Sequence, residues 1–479
     1  MNSKASASVL RQPKPFYAVF MVEFWERFGF YGMWAILAYY FVKQMHLSEA
    51  ESYNLFSAFT ALLYALTSIG GYIGDKIVGT KRTIVIGTVF LMAGYFLLGF
   101  HSLTFTALGV IAVGNGLFKA NPASLLSKCY ESNDPRLDGA FTMYYMSVNI
   151  GSGLSMLLVP TIQSHFGFSW GFWAASIGLV IGLANYLMMY HWMKGVASEA
   201  GKKPIHWPKL IAVIILAILG VFACSWILQH LTFAHWLMTV IGIAVGAFFI
   251  TQIVKAAPHE RWKMIVALIL MIQAIAFFIL YQQMPTSLNF FAINNVQHSL
   301  YGWHFNPLCF QALNPIWIVI ASPILAYFYN KLGNNGKDFS MPAKFTMGMF
   351  LCALGFLSLY MSTFFANASG IVSPWWMVLS YGFQSVGELL VSGLGLAMVA
   401  RLVPQRMMGL IMGAWFMVTA VAMVLGGFVA ALTNTPANAP NHFISLHIYG
   451  HVFFWIGCVT LLVTLLMWPM VPFLRRRMA

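Results

Sequence analysis

Long apolar runs separated by short polar connectors repeat along the whole chain. A helix needs about 20 mostly apolar residues to cross the hydrocarbon core of a bilayer. Runs of that kind lie near residues 16–42, 52–77, 83–101, 104–127, 138–164, 169–193, 208–229, 234–256, 263–293, 308–331, 341–365, 373–402, 407–432 and 445–472. The pattern predicts an all-α integral membrane protein with fourteen spans in one continuous bundle. The run 52–77 carries polar residues, and 208–256 forms a pair that stands apart from the rest.

Composition supports a bilayer as the solvent. Hydrophobic residues make up 60% of the chain and charged residues 8%, with a mean hydropathy of +0.77. Soluble domains average roughly 25% charged residues. The formal charge of +14 does not point to nucleic acid, because the basic residues sit in short connectors and form no patch on a soluble domain. The cysteines Cys129, Cys224, Cys309, Cys352 and Cys458 are scattered, with no spacing that suits zinc or a disulfide framework, and read as buried apolar residues. Residues 1–15 lead directly into a long apolar run, so no removable leader is expected.

Charge placement tests the span count. Apart from Arg27, Lys43 and Lys119, the Lys and Arg residues fall in the N-terminal tail, at every second connector, or in the run Arg475, Arg476, Arg477. Lys76, Lys81 and Arg82 follow the second span; Lys194, Lys202 and Lys203 follow the sixth. The positive-inside rule then predicts an even number of spans with both termini in the cytoplasm. Fourteen divides as six, two and six: a bundle over 1–200, an inserted pair over 201–260 with no charge inside its apolar stretches, and a second bundle over 261–479. Paired halves with a substrate site near the midplane recur among transporters.

Five charged residues lie deep in the predicted spans: Glu23, Glu26, Arg27, Lys119 and Glu388. Each costs roughly 2.5–3.5 kcal/mol at the centre of an isolated helix, on the order of 12–17 kcal/mol together if unpaired. They must face one another or a wet cavity. Glu23, Glu26 and Arg27, at i, i+3 and i+4, share one helix face, and Lys119 is available to balance their net negative charge. Glu388 is protonated, paired with Lys119 or Arg27, or held for a cation from the substrate. The chain has no G-x-x-x-x-G-K-[ST] phosphate loop; Gly74 to Lys81 misses it by one residue. Neither H-E-x-x-H nor G-x-S-x-G occurs, so no catalytic centre, metal or other cofactor is expected.

Several stretches carry a family resemblance. Gly71-Tyr-Ile-Gly-Asp75-Lys76-Ile-Val-Gly79-Thr-Lys81-Arg82 resembles the span two–three loop of the major facilitator superfamily. Glu23-Phe-Trp-Glu26-Arg27-Phe28-Gly-Phe30-Tyr31-Gly32 resembles the E-x-x-E-R-F signature of the proton-dependent oligopeptide transporters. Residues 141–152, with Tyr145 and Asn149, resemble that family's F-Y-x-x-I-N-x-G-S motif; Gly387-Glu388-Leu-Leu-Val-Ser392 resembles its G-E-L-x-x-S motif; and Gly114 to Pro122 resembles its lysine-bearing fourth helix.

The resemblance implies a major-facilitator fold, twelve core helices plus the inserted pair, and proton-driven import of dipeptides and tripeptides by alternating access across a bacterial inner membrane. It implies no enzymatic activity and a chain that works as a monomer, with peptide, proton and membrane lipid as its partners. It assigns proton coupling to Glu23, Glu26, Arg27 and Lys119. Arg27, Lys119 and Tyr31 would meet the peptide carboxylate; Glu388, Asn149 and Asn314 would hold its amine; Tyr64, Tyr145, Tyr281, Ser392 and Trp415 would line the pocket. The chain departs from the family pattern at Phe30, where a Tyr is usual, at Trp34, where many members carry a second Arg, and at Gln282, where many carry a seventh-helix acid. The rival reading, a facilitator-type exporter of drugs or cations, is opposed by Arg27 and Lys119, which repel cations.

Overall fold

The computed structural model describes residues 12–131, 134, 136–334, 339–403, 408–436 and 441–478; side chains are also left undescribed at 259, 330, 333–334, 392–401, 408–412 and 478. The described chain is helical apart from a two-residue antiparallel pairing of Ser299–Leu300 with Trp303–His304 and one bridge. Its long helices are α1 (Lys14–Lys43), α2 (Glu49–Tyr72), α3 (Thr80–Leu98), α4 (Thr104–Lys119), α5 (Leu137–Phe166), α6 (Phe168–Met188) and α7 (Trp207–Gln229). They continue with α8 (Leu231–Lys255), α9 (Pro258–Tyr281), α10 (Leu313–Asn334), α11 (Met341–Ser362), α12 (Trp375–Leu402), α13 (Met408–Ala431) and α14 (His442–Met467).

Twelve helical stretches of the described residues are long and apolar enough to cross a membrane. The fourteen spans expected from the sequence are therefore reduced to twelve that meet this standard. α1 is not among them, since Glu23, Glu26 and Arg27 hold down its apolar character, and neither is α12, whose side chains at 392–401 are outside the described residues. Three predicted spans also contain breaks. Run 52–77 ends in a wide turn over Ile73–Ile77. Run 104–127 breaks after Lys119, where Pro122 lacks the N–H that would continue the ladder, and restarts as Asn121–Ser127. Run 263–293 stops at Tyr281 and resumes at Ser287–Asn295.

The helices form two compact units. The first comprises the chain up to Leu37 together with Leu62–Leu231. Its α3 and α4 pack along their length, and α7 lies on α4. A Cβ on Gly109 of α4 would stand 2.5 Å from the carbonyl oxygen of Val221 in α7, so only glycine permits this approach. The second unit comprises Ala38–Ala61 and Thr232–Ala479. In it α11 packs on α12 and α14, and α9 on α13. The 38–61 hairpin is tied in by Gln282, whose Nε2 donates to Ser57 Oγ at 3.1 Å. α8 meets α13, where the His235 and Phe428 rings are 4.8 Å apart.

The pair 208–256 is thus shared, α7 in the first unit and α8 in the second. Its burial is the lowest among the twelve spans. Large apolar side chains such as Leu216, Phe222, Trp236 and Ile243 are exposed along it, as a lipid-facing helix requires. Gly109→Leu should force α7 off α4 and cost about 1–3 kcal/mol as overpacking. Thermal unfolding in detergent should show the loss, while transport per correctly inserted molecule persists. Transport abolished at unchanged stability would mean that the α4–α7 contact carries coupling chemistry.

Candidate functional site

The first unit holds a buried charge cluster built on α1. One helical turn sets Glu23, Glu26 and Arg27 on one face, and all three are at most 5% exposed. Arg27 Nε lies 3.2 Å from Glu23 Oε1, and the far guanidinium nitrogen pairs with Glu26 Oε2. The Tyr144 hydroxyl of α5 is within hydrogen-bonding range of Glu23. α5 comes this close because Gly151 faces α1: a Cβ there would sit 2.5 Å from the Phe24 carbonyl oxygen. Among the described residues, Glu23 Oε2 and Glu26 Oε1 receive no hydrogen bond.

Lys119 completes the cluster from α4. It is the last residue of that helix, where the helix dipole favours a cation. Asn121 Nδ2 bonds the carbonyls of Leu117 and Gly70 at 2.6 and 3.1 Å and so secures the break. The ammonium stands 4.0 Å from the ring centroid of Tyr64, a cation–π contact, and within electrostatic reach of Glu23, Glu26 and Arg27. Two carboxylates and two cations thus compensate one another, yet Arg27 alone makes the close pairs. The departures Phe30 and Trp34 gain a physical role here: the Arg27 guanidinium lies 5.2 Å from the Phe30 ring, which is 5.3 Å from Trp34. Tyr31, half-buried, interacts electrostatically with Arg27.

The second unit holds a different arrangement. Glu388 of α12 is 9% exposed and accepts a hydrogen bond from Asn314 Nδ2 at 2.7 Å. Asn314 stands at the start of α10, just after the tight turn Pro307–Ala312, and also donates to Ser385 Oγ at 3.1 Å. Among the described residues of this unit no cation lies within ion-pair distance of Glu388. Trp415 is buried with its ring 6.2 Å from Phe278, and Tyr281 tilts over Phe277 at 6.2 Å. Ser392 is one turn beyond Glu388, with its side chain outside the described residues.

Asn149 and Tyr145 lie on α5 in the first unit, whereas Asn314 and Glu388 belong to the second. Asn149 Nδ2 donates to the Tyr145 carbonyl of its own helix at 2.8 Å, and the Tyr145 side chain is exposed. Gln282 is fully buried and ties down the 38–61 hairpin.

Two residues were missed by sequence reasoning. Tyr144, not its motif neighbour Tyr145, reaches Glu23; adjacent helix positions point about 100° apart, and the motif alone does not say which faces α1. Glu49 reads as an ordinary acid in the first turn of α2. In the structure it accepts from Asn294 Nδ2 at 3.1 Å, the Thr435 N–H at 3.2 Å and the Tyr449 hydroxyl at 3.3 Å, all within the second unit.

With this geometry in place, known proteins supply the comparison. The sequence profile described as "POT family" matches residues 81–447. Dipeptide and tripeptide permease B of Salmonella typhimurium is 52% identical over 480 residues, covering 99% of this chain and 98% of its own length. The permease of that name from Aeromonas hydrophila is 50% identical over 483 residues, 100% of this chain and 96% of its own. The crystal structure of tetrameric PepTSo2 superposes with a TM-score of 0.88 at 38% identity, covering 97% of this chain and 99% of that one.

Replacing Glu49 with Ala should leave the Asn294, Thr435 and Tyr449 donors without their acceptor, at about 1–3 kcal/mol for each that stays buried. The expected readout is a lower melting temperature in detergent, largely restored in Glu49→Gln, whose carbonyl still accepts. Unchanged melting of Glu49→Ala would show that the three hydrogen bonds contribute nothing.

Proposed function

This chain belongs to the POT family, and we propose that it is a proton-coupled symporter that imports dipeptides and tripeptides. It is a transporter, not an enzyme. The observation that carries the reading is the contrast in buried charge. One unit holds a cation pair, Arg27 and Lys119, among carboxylates; the other holds a carboxylate, Glu388, dressed by an amide and, among the described residues of that unit, with no cation within ion-pair distance. A zwitterionic peptide carries the complement of both. Arg27, Lys119 and Tyr31 would take its carboxylate. Glu388 and Asn314, with Asn149 through Oδ1, would take its amine. Tyr64, Tyr145, Tyr281, Ser392 and Trp415 would surround side chains without selecting among them, so the termini set recognition.

Coupling follows from how the α1 cluster is charged. Arg27 keeps its charge at any accessible pH and lies against both carboxylates. A proton arriving on Glu23 or Glu26 removes one negative charge from the balance, and Lys119, held by Tyr64 and, among the described residues, by no carboxylate within ion-pair distance, becomes the cation that a peptide carboxylate can satisfy. Proton and peptide then bind with positive coupling, and the coupling is reciprocal. Each proton entering is worth about 2.3 kcal/mol per 100 mV, which drives accumulation of a net-neutral zwitterion without ATP. Gln282 has no proton to give, so the carrier is sought among Glu23, Glu26 and Glu388.

The same proposal extends to topology. α1 and α12 would be spans despite their charges, making fourteen, because their intramembrane ionisable groups are partnered. Regions 1–200 and 261–479 would be the two six-helix bundles of alternating access, with 201–260 added to them. Both termini would be cytoplasmic in a bacterial inner membrane, from the distribution of Lys and Arg. One chain carries both clusters, so transport is assigned to the monomer, whatever assembly the tetrameric neighbour adopts.

Uptake of a labelled dipeptide into proteoliposomes, with and without a pH gradient, tests the reading. Lys119→Ala should abolish gradient-driven accumulation, and Glu26→Gln, a permanently uncharged mimic, should abolish it too. If both variants still concentrate peptide, the switch is not the α1 cluster. Glu388→Gln should strongly weaken dipeptide uptake, and N-acetylated dipeptides should compete poorly against the unmodified protein; equal competition by free and acetylated peptides rules out amine recognition.

A further inference from the structure

The first unit has a second charged site that shares no residue with the clusters above. A cavity of about 540 Å³ opens where the wide turn Ile73–Ile77 and the start of α3 meet the connector leading into α7. Lys76, Arg82, Lys203 and Lys209 line it, with only Asp75 and Glu199 opposite in charge. Both carboxylates are paired elsewhere: Asp75 with Lys128 at 2.8 Å and Glu199 with Lys202 at 2.9 Å. Arg82 spends its guanidinium on backbone, donating to the Val78 and Lys203 carbonyls at 3.1 Å each. Among the described residues no carboxylate stands within ion-pair distance of Lys76, Lys203 or Lys209. Four cations therefore line one cavity against two carboxylates, each of which is already paired with a further lysine.

The remaining lining is apolar: Ile77, Val78, Pro204, Ile205 and Leu210. A small soluble anion has no use for that surface. From the cavity mouth the exposed side chains of Ile205, Trp207, Ile211, Ile215 and Leu219 run along α7, a span whose outer face is among the least buried. Trp207 at the start of the span marks the interfacial level where headgroups lie. Cations around a cavity that continues into a lipid-facing apolar stripe match a molecule with an anionic head and acyl tails.

We propose that this cavity binds the headgroup of an anionic phospholipid, with its phosphate against Lys76, Arg82, Lys203 and Lys209 and its acyl chains along α7. Such a lipid bridges the connector before α7 to the turn that carries the Asp75–Lys128 pair. It gives α7, otherwise joined to the first unit chiefly through α4, a second attachment at the membrane surface.

The test uses the full chain in detergent with phosphatidylglycerol, phosphatidylcholine or inorganic phosphate as probes, read by native mass spectrometry and by thermal stability. Each basic residue near an anionic headgroup contributes about five-fold in affinity. The double variant Lys203→Gln/Lys209→Gln, both exposed positions, should therefore lose roughly twenty-five-fold in phosphatidylglycerol affinity. Lys255→Gln, which removes a positive charge on α8 instead, should lose none. Phosphatidylcholine should bind weakly to all three proteins, and millimolar inorganic phosphate should neither stabilise the parent nor displace the lipid. The assignment is overturned if the double variant binds phosphatidylglycerol like the parent, if phosphatidylcholine binds equally well, or if inorganic phosphate reproduces the stabilisation.

Discussion

A charge cannot be left bare in hydrocarbon, and Arg27 is the residue on which this constraint falls hardest, because its guanidinium cannot shed its proton. Two carboxylates on the same helix answer it within one turn. The rest of the first unit is arranged around that answer. Gly151 lets α5 close on α1 and brings Tyr144 to Glu23, and α4 stops at Lys119 so that a second cation stands at the edge of the cluster. Buried ion pairs contribute little net stability. Stability alone therefore does not account for a cluster of this cost.

The second unit solves the same constraint with amides. Glu388 has Asn314 as its donor and, among the described residues of its own unit, no cation within ion-pair distance, which leaves a carboxyl group held by an amide and not by a counter-charge. Gln282 and Glu49 show the unit's other use of polar groups: both are consumed in fastening the 38–61 hairpin, through the part of α2 that it contains. Gln282 thus serves here as a neutral tie.

Helix ends matter as much as helix faces in this protein. The breaks after Lys119, Tyr281 and Tyr72 each fall beside a residue or segment with a polar task. Irregular backbone at membrane depth is tolerated only where protein or water satisfies it, and Asn121 does so at the Lys119 break by bonding two carbonyls. The helices with no such task, α7 and α8, are regular, mostly exposed and free of internal charge, and each attaches to a different unit.

What the sequence determined by itself follows from local physics. Apolar length located the helices, since the cost of hydrocarbon exposure is summed residue by residue. The same cost singled out Glu23, Glu26, Arg27, Lys119 and Glu388, and the i, i+3, i+4 spacing placed three of them on one face. Their motifs pointed to the family that the comparisons show. Tertiary structure alone decided which partner each charge meets. Lys119 rests on Tyr64, Tyr144 reaches Glu23, Asn149 turns its amide donor to its own helix, and Glu49 gathers donors from three distant segments. The grouping of residues 38–61 with the C-terminal half of the chain is of the same kind. These outcomes depend on how closely helices far apart in sequence approach one another, and neither hydropathy nor spacing encodes that distance.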